Sequence, residues 1–147
     1  VTAVERLIDI AAPVDRVWRS LAEPEEFARW CAVDEAEFEA RAGSPMRLHW
    51  ARHGTFRGVV EEAAEPHRLC YRLSAAPDAE PTPTTSTLVE LTLTPAQVGS
   101  RLLVRESGFG ALDPSVGDAI ELMEESGASW SAALERLARG LEDESSG

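Results

Sequence analysis

His49, His53 and His67 are the only three histidines in the chain. Imidazoles can serve as general bases or metal ligands. His49 and His53 sit close in sequence, but a strand running into a turn does not align their nitrogens. Metal binding would also need a carboxylate or thiol whose position the sequence does not give. Structural or surface histidine is the plainer reading, so no metal, no cofactor and no catalytic residue is assigned. Cys31 and Cys70 lie in hydrophobic contexts and read as buried free thiols, not as a disulfide or metal pair. Glu35, Glu37 and Glu39 recur at every second position. They invite a general acid–base reading, yet a solvated strand face that discourages edge pairing explains them more simply. A glycine-rich phosphate loop ending in Lys-Ser/Thr, a G-x-S-x-G elbow and an H-E-x-x-H helix are all missing. Whether any reaction is catalysed stays open at this stage.

Glu106 is the polar residue to follow. If Leu102 and Val104 face inward, a period of two sends Glu106 inward too. A buried carboxylate needs a partner, and Arg72 on a nearby strand is the candidate. Glu106 would then be an ordinary ion-paired or rim residue, an orienting group for a polar ligand, or an acid–base group in a cyclase-like pocket. The aromatics carry more information. Trp18, Trp30, Trp50, Trp130, Phe38, Phe56 and Tyr71 exceed what a flat surface tolerates. Most must be core, but some can line a pocket. The candidate lining is Trp50, Phe56, Tyr71, Leu91, Glu106, Met123, Gly127 and Trp130.

The element that would position these groups is a helix over 113–141. Val116, Ile120, Met123, Trp130, Leu134, Leu137 and Leu141 recur at spacings of three and four, with Gly127 in the one gap. Asp113-Pro114-Ser115 supplies capping chemistry at its start. A glycine inside a helix costs about 1 kcal/mol relative to alanine, so Gly127 implies space or close approach. The tail 142–147 (EDESSG) is expected to be disordered.

The rest reads mostly as strands. Residues 3–11 form the first, with Val4, Ile8 and Ile10 on one side. Pro13 opens a short helix bearing Val14, Val17, Trp18 and Leu21, and Pro24 opens a second bearing Phe27 and Trp30. Further strands are expected over 35–41, 46–52, 55–63, 69–73, 87–94 and 101–107. Gly58 suggests a bulge or a close backbone approach. Residues 74–85, with three prolines, read as a surface loop. The order is β-α-α-β-β-β-β-β-β-α: an α+β fold in which an antiparallel meander curves around the final helix.

Composition bounds the partners. The chain of 147 residues suits one domain, 1–141, plus the tail. Its formal net charge is −12, and all fourteen basic residues are arginine. That balance argues against nucleic acid and anionic membrane. No apolar run approaches a membrane span and no signal peptide is evident, so a cytoplasmic location is expected.

The opening strand with Ala12-Pro13 and Val17-Trp18, then Glu23-Pro24 to Trp30, form a familiar series. Phe56-Arg57-Gly58-Val59-Val60-Glu61, Glu65-Pro66 and Arg68-Leu69 continue it. Leu102 to Phe109, ending in Ser107-Gly108-Phe109, and Trp130 with Leu134 and Leu137 complete it. With these residues the chain resembles the START-like (SRPBCC) helix-grip superfamily, specifically its AHSA1 branch, named after the activator of the Hsp90 ATPase, in the single-domain bacterial form. One departure is Ser129 where the family often has glycine before the helix tryptophan. The resemblance implies a curved antiparallel sheet gripping a long C-terminal helix. One fold hosts many functions, so three expectations follow. The first is a carrier or sensor binding a small apolar ligand in a cavity between sheet and helix. The second is an aromatase/cyclase-type enzyme using the same cavity. The third, disfavoured because the resembled co-chaperones carry an additional domain, is a chaperone co-factor or protein-interaction module. A homodimer stays open.

Overall fold

The structure is a computed structural model that describes residues 3–146 of the chain, with side chains through Glu144. Seven strands make one antiparallel sheet: β1 (Ala3–Ile10), β2 (Glu35–Glu37), β3 (Pro45–Trp50), β4 (Gly54–Ala64), β5 (Arg68–Ser74), β6 (Ser86–Pro95) and β7 (Ser100–Ser107). Their order is β1-β7-β6-β5-β4-β3-β2. Two short helices, α1 (Val14–Ala22) and α2 (Pro24–Trp30), follow β1. A single 3-10 turn, Phe109–Ala111, leads from β7 toward α3 (Ala119–Ser146). This is the α+β helix-grip architecture, with the expected element order.

Alternation places Met46, Leu48, Val60, Leu69, Tyr71, Val89, Leu91, Leu93, Leu102 and Val104 on the inner face, all buried. Phe27, Trp30, Trp130, Leu134, Leu137 and Leu141 meet them from the helical side in one continuous core. α3 packs chiefly along β1, and its end also meets α2. The outer face is polar. Glu5, Arg105, Glu90, Arg68 and Glu62 form a chain of ion pairs from β1 across to β4.

Three expectations need correction. α3 begins at Ala119, not at 113. Asp113 accepts hydrogen bonds from the Ser115 backbone N–H (2.9 Å) and hydroxyl (2.7 Å), so its capping chemistry closes a local turn instead. Asp118 is the helix cap, accepting from the N–H groups of Ile120 at 2.8 Å and Glu121 at 3.1 Å. Ile120 therefore lies in the first turn and is 69% exposed. At the other end the helix continues through 142–146, and Glu144 pairs with Arg16 of α1 at 2.7 Å. Of the expected disordered tail, only Gly147 lies outside the described residues.

The strand expected over 35–41 pairs only at Glu35–Glu37. Phe38 turns inward onto Phe27, ring centroids 5.3 Å apart, and the Glu39 N–H goes to Ser44 Oγ at 2.9 Å. In β4, Gly58 marks the close approach: a Cβ there would lie 2.4 Å from the Arg72 carbonyl oxygen. The register shift falls farther along, between Val60 and Glu62.

Candidate functional site: a chamber between α3 and the sheet

The seam between α3 and the sheet is not packed solid. An inner chamber of about 190 Å3 opens there. Phe27, Cys31 and Val33 wall it from the end of α2. Leu48, Trp50, Tyr71, Leu73, Val89 and Glu106 wall it from the sheet, and Ser126, Ser129, Trp130 and Ala133 from α3. An outer chamber of about 450 Å3 shares Cys31, Trp50, Leu73, Glu106, Ser126 and Ser129 with it. That outer space adds Phe56, His53, Thr87, Phe109, Leu112 and Leu122. The inner walls are mostly apolar and aromatic, as in small-molecule sites.

Sheet register explains how the polar groups arrive. Val4, Glu106, Val89, Tyr71 and Val60 form one row across five strands. Glu106 is thus inward, as its period of two implies. Its partner is not Arg72, which lies on the opposite face and pairs with Glu61 at 3.7 Å and Ser86 Oγ at 3.2 Å. Three neutral donors hold Glu106 instead. Thr87 Oγ1 donates to Oε2 at 2.6 Å, Trp130 Nε1 to Oε1 at 2.8 Å, and Ser126 Oγ also to Oε1. No arginine lines either chamber.

Of the sequence-derived candidates, Trp50, Tyr71, Glu106 and Trp130 meet in the inner chamber. Phe56 joins in the outer one, its ring edge-on to Trp50 at 5.4 Å. Leu91, Met123 and Gly127 do not line it. Leu91 is fully buried core, and Met123 packs half-buried against that core. Gly127 faces β1, where a Cβ would lie 2.4 Å from an Arg6 Nη atom; its gap accommodates that guanidinium, not a ligand. Sequence reasoning missed Leu48, Leu73 and Val89 of the sheet, Phe27, Cys31 and Val33 at the end of α2, and Ser126, Ser129 and Ala133 of α3. Ser126 was recoverable: it precedes Trp130 by one helical turn and so shares its face.

The chemistry on offer is binding more than nucleophilic attack. Burial pushes the Cys31 thiol up, against an opposing effect of Arg136. Burial also raises the Tyr71 phenol well above its ordinary value, with Cys31 and Glu106 adding to the shift. Neither is activated as an anion. Among the other polar groups, His49 bonds Thr55 Oγ1 at 2.9 Å beside Glu35, Glu37 and Arg47. His67 belongs to the β4–β5 turn, where its N–H donates to the Ala64 carbonyl at 2.7 Å. Only His53 reaches a chamber that Glu106 also lines.

The family model described as Activator of Hsp90 ATPase homolog 1-like protein matches residues 11–142. The chain belongs to this AHSA1 family. Solved structures agree on the fold of the AHSA1 chain. MLL2253 from Mesorhizobium loti superposes with a TM-score of 0.78 at 21% identity, over 96% of this chain and 97% of that one. The Aha1 dimer from Colwellia psychrerythraea gives 0.79 at 14% identity, over 97% of each. BH1534 from Bacillus halodurans gives 0.77 at 18% identity, over 96% and 97%. No curated protein matches this AHSA1 sequence. No helix among the described residues is long and apolar enough to cross a membrane.

Proposed function

We propose that this AHSA1-type chain is a cytosolic carrier or sensor that binds a small, mainly apolar molecule between α3 and the sheet. The observation that carries the reading is the pocket itself, about 190 Å3 of space walled by Phe27, Trp50, Val89 and Trp130 and partly open to solvent. A vacant space of about 150 Å3 with apolar walls accepts a benzene ring. Native mass spectrometry of protein purified from its own host tests the proposal directly. A co-purifying small molecule is expected, and its loss on substituting Ala133→Leu, which fills the chamber from α3, is the matching control. If the variant keeps the molecule, the site lies elsewhere. If the wild-type protein carries nothing and takes up no apolar probe, the reading fails.

A further inference from the structure

The chamber contains two polar groups whose hydrogen-bonding capacity is unused. Glu106 Oε1 already accepts from both Ser126 and Trp130, whereas Oε2 accepts only from Thr87. A carboxylate oxygen has two lone pairs, so Oε2 keeps one free. Tyr71 is 2% exposed and lines the inner chamber, and its hydroxyl makes no hydrogen bond among the described residues. No buried side-chain oxygen or nitrogen among the described residues lacks a partner, so the Tyr71 hydroxyl is reached from the chamber and is free to bond a guest. The two groups cannot satisfy each other through the sheet. They stand on one inward row with Val89 between them, two strands and so roughly 10 Å apart at the backbone.

The sign of the charge matters as much as the spacing. Glu106 is held by neutral donors, and no arginine lines either chamber to offset it. A second carboxylate entering beside it would face a like charge across apolar walls. At about 5 Å with a moderate effective dielectric, that repulsion corresponds to roughly a hundredfold in affinity. We infer that Glu106 and Tyr71 make this chamber select a small neutral molecule bearing a hydroxyl on an apolar, ring-sized body, and reject the carboxylate of the same skeleton. A hydroxyl can donate to Glu106 or accept from Tyr71. A carboxylate can only accept. This rests on the small-molecule reading above and adds the class of ligand to it.

The test uses three probes of one skeleton: naphthalene, naphthol and naphthoate, titrated into the full chain by calorimetry. Naphthol is expected to bind at least about tenfold more tightly than naphthoate, well within the repulsion available. Glu106→Gln should narrow that ratio several-fold, chiefly by admitting naphthoate. Tyr71→Phe should weaken naphthol and leave naphthalene unchanged. The wild-type comparison needs no variant, so it stands even where a substitution disturbs folding. Naphthoate binding as tightly as naphthol would overturn the selection rule while sparing the cavity reading, since naphthalene would still bind. Binding of none of the three would overturn both.

Discussion

Two glycines look alike in sequence and differ in what surrounds them. Gly58 abuts backbone: a Cβ would meet the Arg72 carbonyl oxygen at 2.4 Å, and β4 and β5 cannot part without breaking their ladder. Gly127 abuts the end of a flexible side chain, the Arg6 guanidinium, which can swing away at the loss of its 3.0 Å bond to Ser131. Gly58→Ala is therefore expected to destabilise the fold by about 1–3 kcal/mol, as overpacking does. Gly127→Ala should be near neutral, because a helix-propensity gain of about 1 kcal/mol offsets an exposed hydrogen bond worth about the same. Urea denaturation of both variants checks the pair. Equal losses would mean that backbone and side-chain neighbours impose the same constraint. At the same scale, Trp130→Phe keeps the ring in the chamber wall but removes the indole N–H from Glu106. A hydrogen bond to a charged group is worth about 1.5–3 kcal/mol, and a loss of that size in the same denaturation experiment is expected. A variant as stable as the parent would show that Thr87 and Ser126 suffice to hold the carboxylate.

At the level of elements, the end of α3 is tethered in a way its residues alone do not announce. Its last turns, read as a tail from their acidic and small residues, are tethered by Glu144. Arg16 Nε and Nη2 meet its two carboxylate oxygens at 2.7 and 3.0 Å. Composition alone could not show that α1 would lie beside those residues. The hydrogen bond from Arg16 holds the Glu144 carboxyl below its ordinary value of 4.5. A lowered carboxyl value contributes stability above the unfolded value and loses it as pH falls through the folded one. Protection of the backbone amides over 142–146 should therefore hold at neutral pH and fade below about pH 4.5. Glu144→Gln should reproduce the acid behaviour at pH 7. Amide exchange followed by NMR reads both, and pH-independent protection of this turn would show that the ion pair does not hold it.

Across the whole molecule, strands and helix stripes were legible because their periods are local: Leu102, Val104 and Glu106 announce their shared face within one strand. The partners of Glu106 were not legible, because they come from β6 and α3 and depend on register and helix rotation. Arg72, near in the sheet, sits on the wrong face by a single residue. The chamber follows the same rule, since Cys31 and Val33 enter it only because α2 folds back against α3. One consequence concerns how a ligand gets in. Trp130, Leu134, Leu137 and Leu141 lock the C-terminal half of α3, all of them buried. Its N-terminal half carries exposed Ile120 and only half-buried Leu122 and Met123, and its Leu122, Glu125, Ser126 and Ser129 edge the outer chamber. Local opening draws on segments with few buried contacts, so entry should proceed by loosening 119–128. Amides there should exchange faster than those of 134–141 in the free protein. Naphthol at a hundredfold excess over its dissociation constant should slow the former. That saturation stabilises the native state by about 2.7 kcal/mol. For a chain of this size it should raise the melting temperature by roughly 5–10 °C. Uniform exchange along α3, or ligand protection confined to 134–141, would place the entrance elsewhere.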